Sequence, residues 1–133
     1  MVKIILLVVS TFFAFGVQQI PKPKTQNERG KLVYDNYCLS CHMENGGGVP
    51  RMTSSLIKST YVLGSKKKLV EIVLLGSDAF SEDPKRNFKN LMAPLDNLKD
   101  QQIADVLTYI RKNFGNKASG LTPTEIKQVR ANL

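Results

Sequence analysis

Cys38-Leu39-Ser40-Cys41-His42 holds both cysteines and the single histidine of this 133-residue chain. Two cysteines that close cannot staple distant parts of a fold, so order must come from packing or from a group these residues hold in common. On a helical turn Cys38 and Cys41 are i and i+3, and their sulfurs leave the same side. His42 follows at once. C-x-x-C-H is the attachment pattern of c-type haem: both thiols bond covalently to the vinyl positions of one porphyrin, and the histidine turns its ring toward the iron. One covalent haem c is therefore the expected cofactor.

The motif has three other uses. A redox dithiol of the C-x-x-C type usually follows a strand at a helix N-terminus, and no βαβ pattern is visible. A structural zinc site needs four protein ligands and a catalytic one three with an open position, and one histidine and two cysteines reach only the smaller number. A local disulfide with His42 as a surface residue is the third, and all three leave the remaining sequence unexplained. Paired carboxylates, a second histidine and a glycine-rich phosphate loop near a strand are missing, so electron transfer is expected rather than enzyme catalysis.

An electron-transfer haem needs a second axial ligand, and without another histidine the candidates are Met43, Met52 and Met92. Met43 adjoins His42 and cannot reach the opposite face of the porphyrin. Met52 has a short path around the ring and suits core packing better. Met92 lies in Asn90-Leu91-Met92-Ala93-Pro94, an irregular segment stiffened by proline, with enough chain behind it to come round to the far side. His42 and Met92 are the expected axial pair. The alternative function is a haem sensor or gas-binding module whose sixth position is open.

The rest of the chain reads as short helices. Ile4 to Val17 is an apolar run behind Lys3, too short for the roughly 18–20 residues of a membrane span, and Ala14-Phe15-Gly16 has the small-x-small form of a cleavage site. Residues 1–17 are thus expected to be a signal peptide, residues 18–26 a flexible linker with two prolines, and residues 27–133 the domain. Cleavage would leave no membrane span and an exported, periplasmic protein; an uncleaved leader would tether it. Asn27 is a plausible N-cap for a helix placing Val33, Tyr34 and Tyr37 on one face. Ser65 caps a second helix with Leu69, Val70, Ile72, Val73 and Leu74 as its buried stripe, ended by Gly76. Residues 77–90 read as a surface loop. Leu98 to Phe114 is the clearest helix, with Ile103, Val106, Leu107 and Ile110 on one face. Thr122-Pro123-Thr124-Glu125 is a capping box opening a last helix that carries Ile126, Val129 and Leu133. No strand-period segment competes, and the fold class is all-α.

The net charge is +8, and Arg51, Lys58, Lys66, Lys67 and Lys68 crowd one short stretch. They form a candidate docking patch for an acidic redox partner such as a dehydrogenase or a terminal oxidase, against the plainer reading of a solvated helix start. Nucleic acid is a poor partner for a cluster with Tyr61 as its only aromatic.

The chain resembles the class I c-type cytochromes, and within them the small periplasmic mono-haem proteins that serve quinoprotein dehydrogenases and oxidase chains. Gly30 and Tyr34 ahead of the motif look like the family's N-terminal helix, which crosses the C-terminal helix at close range. Val106 and Tyr109 match the aliphatic and aromatic of that partner helix, and Asp105 to Arg111, ending in Phe114-Gly115-Asn116, is closer still to the subgroup. Gly46-Gly47-Gly48-Val49-Pro50, then Leu56, looks like the loop after the haem motif. The resemblance implies a cytochrome c-like fold of about four to five short helices around one haem. It also implies that the Pro50 backbone carbonyl accepts a hydrogen bond from His42. One departure stands out: Ala93 separates Met92 from Pro94, where the family commonly has proline directly after the ligand.

Overall fold

The computed structural model describes residue 23, residues 25–80 and residues 91–133. The apolar run 4–17, most of the expected linker and residues 81–90 of the expected loop lie outside the described residues. Among the described residues six α-helices follow in order: α1 Gln26–Tyr37, α2 Leu39–His42, α3 Thr60–Leu63, α4 Lys66–Leu75, α5 Asp100–Lys112 and α6 Pro123–Arg130, with a 3-10 turn at Gly76–Phe80 after α4. Among the described residues there is no strand, only an isolated antiparallel bridge between Val49 and Thr53. The all-α class holds, and the one-turn helices α2 and α3 raise the number above four to five.

Helix α1 starts one cap earlier than Asn27 suggested. Thr25 is the N-cap: its side chain accepts from the Glu28 N–H while the Glu28 carboxylate accepts from the Thr25 N–H. The reciprocal pair satisfies two donors that a helix start leaves orphaned, which Asn27 could not do from inside the first turn. Val33 and Tyr34 face the core, whereas Tyr37 is exposed. Ser65 caps α4 through the Lys68 N–H, and its stripe from Leu69 to Leu74 is buried as expected. The α6 capping box at Thr122 and Glu125 also forms; Ile126 is fully buried, while Leu133 is exposed.

The core is the crossing of α1 over α5. A Cβ built on Gly30 would lie 2.2 Å from the Asp105 carbonyl oxygen and 2.6 Å from the Tyr109 Cβ. Only glycine lets the two backbones approach so closely. The contact falls on Asp105 and Tyr109, while Val106 turns into the core beneath them. Tyr34, Tyr109 and Phe114 close the crossing as a ring trio with centroids 5.2–5.6 Å apart, a favourable tilted and edge-on arrangement.

Polar groups buried at this crossing are fully partnered. Asp105 accepts two hydrogen bonds from the Arg29 guanidinium, at 2.7 and 3.0 Å, and one from Gln101. Arg111 is buried and donates to the backbone carbonyls of Ser119, Val62 and Gly64. It thereby ties α3 and the stretch before α6 to α5.

Candidate functional site

The motif lies where α1 ends and the short α2 begins. Cys38 is at once the C-cap of α1 and the N-cap of α2, and the His42 N–H closes the turn on the Cys38 carbonyl at 2.9 Å. Both sulfurs therefore belong to one turn, with Cys38 half-buried and Cys41 exposed. Burial, followed by the nearness of Cys41, pushes the Cys38 thiol up to about 12. It is the reverse of an activated redox dithiol, which needs a lowered thiol pKa. Among the described residues no group of three His, Cys, Asp or Glu side chains is placed to hold a metal ion.

His42 is oriented by the loop that follows it. Its Nδ1 lies 3.0 Å from the Ser54 carbonyl oxygen. A carbonyl only accepts, so Nδ1 carries the proton and Nε2 keeps its lone pair for a metal. Burial holds the imidazole below its usual pKa, outweighing the opposite pull of the Ser54 bond, so the neutral, ligating form prevails at pH 7. The acceptor is thus Ser54 and not Pro50. The turn Val49-Pro50-Arg51-Met52, closed by Met52 N–H to Val49 carbonyl at 3.0 Å, puts Pro50 at an exposed tip. The bridge from Val49 to Thr53 then brings the returning strand of the loop back beside Gly48, and the Ser54 carbonyl comes with it.

The loop is anchored to the core at several points. Tyr34 donates its hydroxyl to the Met43 carbonyl at 2.7 Å, Gly46 sits under the Phe114 ring, and the buried Asn116 side chain bonds the Leu56 carbonyl and the Lys58 N–H. Sequence reading missed Asn116 except as part of a family-like string. Its buried side chain bonding distant backbone is a tertiary property.

Met92 is held by α4 and the turn after it. Its N–H donates to Ser77 Oγ at 2.7 Å and its carbonyl accepts from the Ser77 N–H at 2.9 Å. Leu95 N–H then bonds the Val73 carbonyl at 2.9 Å. Gly76 makes this contact possible: it has φ +62°, and a Cβ there would fall 2.3 Å from the Met92 carbonyl oxygen. From sequence Gly76 was only a helix stop, and Ser77 only the start of a loop. Met92 is half-buried against the core, in contrast to Met43 and Met52, each 45% exposed.

The residues suit a haem. Cys38, Leu39, Leu56, Met92, Leu95 and Phe114 present partly covered apolar surface around the core, and Ile57 and Leu91 are exposed beside them. Two thiols for the porphyrin vinyl groups, and one imidazole and one thioether that would serve the iron, are the groups a c-type haem takes. The basic cluster is divided. Lys66 pairs with Glu125 at 2.8 Å, and Lys67 and Lys68 both approach Glu71, at 3.7 and 3.9 Å. Three lysines against two carboxylates leave one net positive charge there. Arg51 and Lys58 are exposed on the loop after the motif and form no ion pair with a described residue.

Comparison with known proteins gives a consistent result. The sequence model of the Cytochrome c family matches residues 27–114. The chain is 33% identical over 113 residues to the cytochrome c subunit of the quinone alcohol dehydrogenase of Gluconobacter oxydans, covering 79% of this chain and 22% of that subunit. It is 29% identical over 111 residues to cytochrome c-552 of Thermus thermophilus, covering 77% and 84%. A cytochrome c6-like protein of Nostoc is 28% identical over 114 residues. The chain thus spans less than a quarter of the dehydrogenase subunits it matches and most of the small cytochromes.

Proposed function

This chain belongs to the cytochrome c family, whose members bind covalent c-type haem and transfer electrons, and from that premise we propose that it is an exported one-electron carrier with His42 and Met92 as axial ligands. Cys38 and Cys41 hold the porphyrin as thioethers. Haem c, when bound, supplies a one-electron iron couple whose potential a thioether ligand raises relative to two imidazoles. The observation that carries the reading is the His42 ring, one residue beyond the second cysteine, with Nδ1 held 3.0 Å from the Ser54 carbonyl, which leaves Nε2 for the iron.

The chain's own residues keep the site rigid. Ser54 orients His42, and Ser77 grips Met92 at both its N–H and its carbonyl. The His42 ring and the Met92 backbone are thereby set before an electron arrives, so little of the chain must move as it comes and goes. The exported location rests on the apolar run within residues 1–17, and the expected linker stops short of Thr25, the cap of α1. The partner we propose is a dehydrogenase of the kind to which several relatives belong as cytochrome subunits, or a terminal oxidase. Arg51 and Lys58 provide its main electrostatic contact, because Glu71 and Glu125 offset most of the charge of Lys66, Lys67 and Lys68.

Two measurements test this. Acid-acetone treatment of the purified holoprotein followed by a haem-stained denaturing gel should leave colour on the polypeptide, and colour lost to the solvent would end the thioether assignment. The oxidised protein should show the weak near-infrared band of a thioether bound to ferric iron. Met92→Leu should abolish it; a band that survives in Met92→Leu and vanishes in Met52→Leu reassigns the ligand. A parent spectrum characteristic of an open sixth position would favour a gas-binding role instead.

A further inference from the structure

The last helix of the chain lies beyond the matched residues 27–114, yet its end reaches the segment that carries Met92. Arg130 donates Nε to Asp100 Oδ1 at 2.9 Å, Nη1 to the Asp96 carbonyl at 2.8 Å and Nη2 to the Leu98 carbonyl at 2.8 Å. Residues 91–99 form no regular helix, so no ladder of their own fixes them. What fixes them, besides one turn bond from the Leu98 N–H to the Leu95 carbonyl and the burial of Leu98 in the core, is contact: Ser77 at Met92, Val73 at Leu95, and the Arg130 fork at Asp96 and Leu98. The planar guanidinium can serve three acceptors in one plane, which an ammonium cannot. Helix α6 is itself held independently, by the buried Ile126, by its capping box and by Lys66 on Glu125. Leu121, just before it, is pinned by Thr108 and Gln26.

We propose that Arg130 is a positioning residue for Met92: α6 is a strap whose terminal arginine closes the downstream side of the Met92 segment, as Ser77 closes the upstream side. The proposal rests on Met92 being the distal ligand. For that ligand to leave the iron, residues 92–98 must swing away from α4, and the Arg130 fork opposes the swing. An external ligand that needs the sixth position therefore binds with an apparent affinity set by how often the segment opens.

The test is titration of oxidised holoprotein with imidazole, followed by loss of the near-infrared thioether band. Arg130→Ala should bind imidazole about tenfold more tightly than the parent, the change expected from losing one to two net hydrogen bonds. Arg130→Lys retains the charge opposite Asp100 and loses the fork, so it should show a smaller increase and remains informative if the alanine variant does not fold. Asp105→Ala is the control for general weakening, since it loosens the α1–α5 crossing without touching residues 91–99. It should leave imidazole affinity within about twofold of the parent, the parent's segment being equally closed. Arg130 variants that bind imidazole no better than the parent, or no better than Asp105→Ala, overturn the strap. A parent with no thioether band overturns the Met92 ligation beneath it, which is a different result from a present band and unchanged affinity.

Discussion

Replacing Gly30 with alanine places a methyl carbon 2.2 Å from the Asp105 carbonyl oxygen and 2.6 Å from the Tyr109 Cβ. Ordinary contact begins at 3.4 Å, so the helices would have to part by roughly an ångström, and neither obstacle is the far end of a flexible side chain. Parting them lifts Tyr34 and Val33 from Ile103, Val106 and Ile110 and stretches the Arg29–Asp105 pair. Alanine gains about 1 kcal/mol over glycine as a helix former, while overpacking costs typically about 1–3 kcal/mol and more when backbone is struck. With backbone struck the cost is taken at the upper end, about 3 kcal/mol, and the net expectation is a loss of about 2 kcal/mol. For a domain of this size that lowers the melting temperature by roughly 5–15 °C. Valine, with two further carbons, should be worse. Thermal unfolding of the holoprotein followed by far-ultraviolet circular dichroism is the assay, with Gly115→Ala as the reference. Gly115 has φ +74° and nothing within 4 Å of a built Cβ, so it pays only the left-handed backbone cost of about 1–2 kcal/mol. A Gly30→Ala melting temperature at or above that of the parent would refute the close-contact reasoning.

Four further outcomes follow from the same contacts. Gly76→Ala meets both a positive φ and the Met92 carbonyl, so it should weaken the near-infrared thioether band in a protein that still folds; an unchanged band means that Gly76 does not set the Met92 segment. Asp105→Ala leaves Arg29 and Gln101 without their acceptor and should cost about 1–3 kcal/mol in a denaturant titration, a loss under about 0.5 kcal/mol contradicting the role of that buried carboxylate. The Lys66 hydrogen bond, then the Thr122 N–H, hold the Glu125 carboxyl below its ordinary 4.5. A depressed carboxyl contributes stability that is present above the unfolded value and is lost as pH falls through the folded one, so Glu125→Gln should flatten the pH dependence of stability below about 4.5 and leave its slope near neutrality alone. Arg51→Gln with Lys58→Gln should reduce the salt dependence of electron exchange with an acidic partner more than the triple change of Lys66, Lys67 and Lys68 to Gln, measured by stopped-flow reduction at varied ionic strength; the reverse order would move docking to α4.

The sequence by itself determined the chemistry and the helices. C-x-x-C-H is local, so its two thiols and its imidazole share one turn whatever the rest of the chain does, and the family follows from that motif with its flanking helices. The α4 stripe and the α6 capping box were legible for the same reason, since periodicity and caps are written within one or two turns, whereas the crossing glycine was legible only through the family resemblance. Contacts between distant segments were not. That His42 bonds Ser54 and not Pro50 depends on how a seven-residue excursion from Gly48 folds back. Gly76 and Ser77 acquire a role only because the Met92 segment packs on them, and Arg111, Asn116 and Arg130 look like ordinary polar residues until backbone carbonyls from elsewhere converge on them. Side-chain hydrogen bonds to remote backbone leave no periodic trace in a sequence, since any residue supplies the same carbonyl. Only the tertiary structure decides which carbonyl is near, because the packing of helices that are far apart in the chain brings them together.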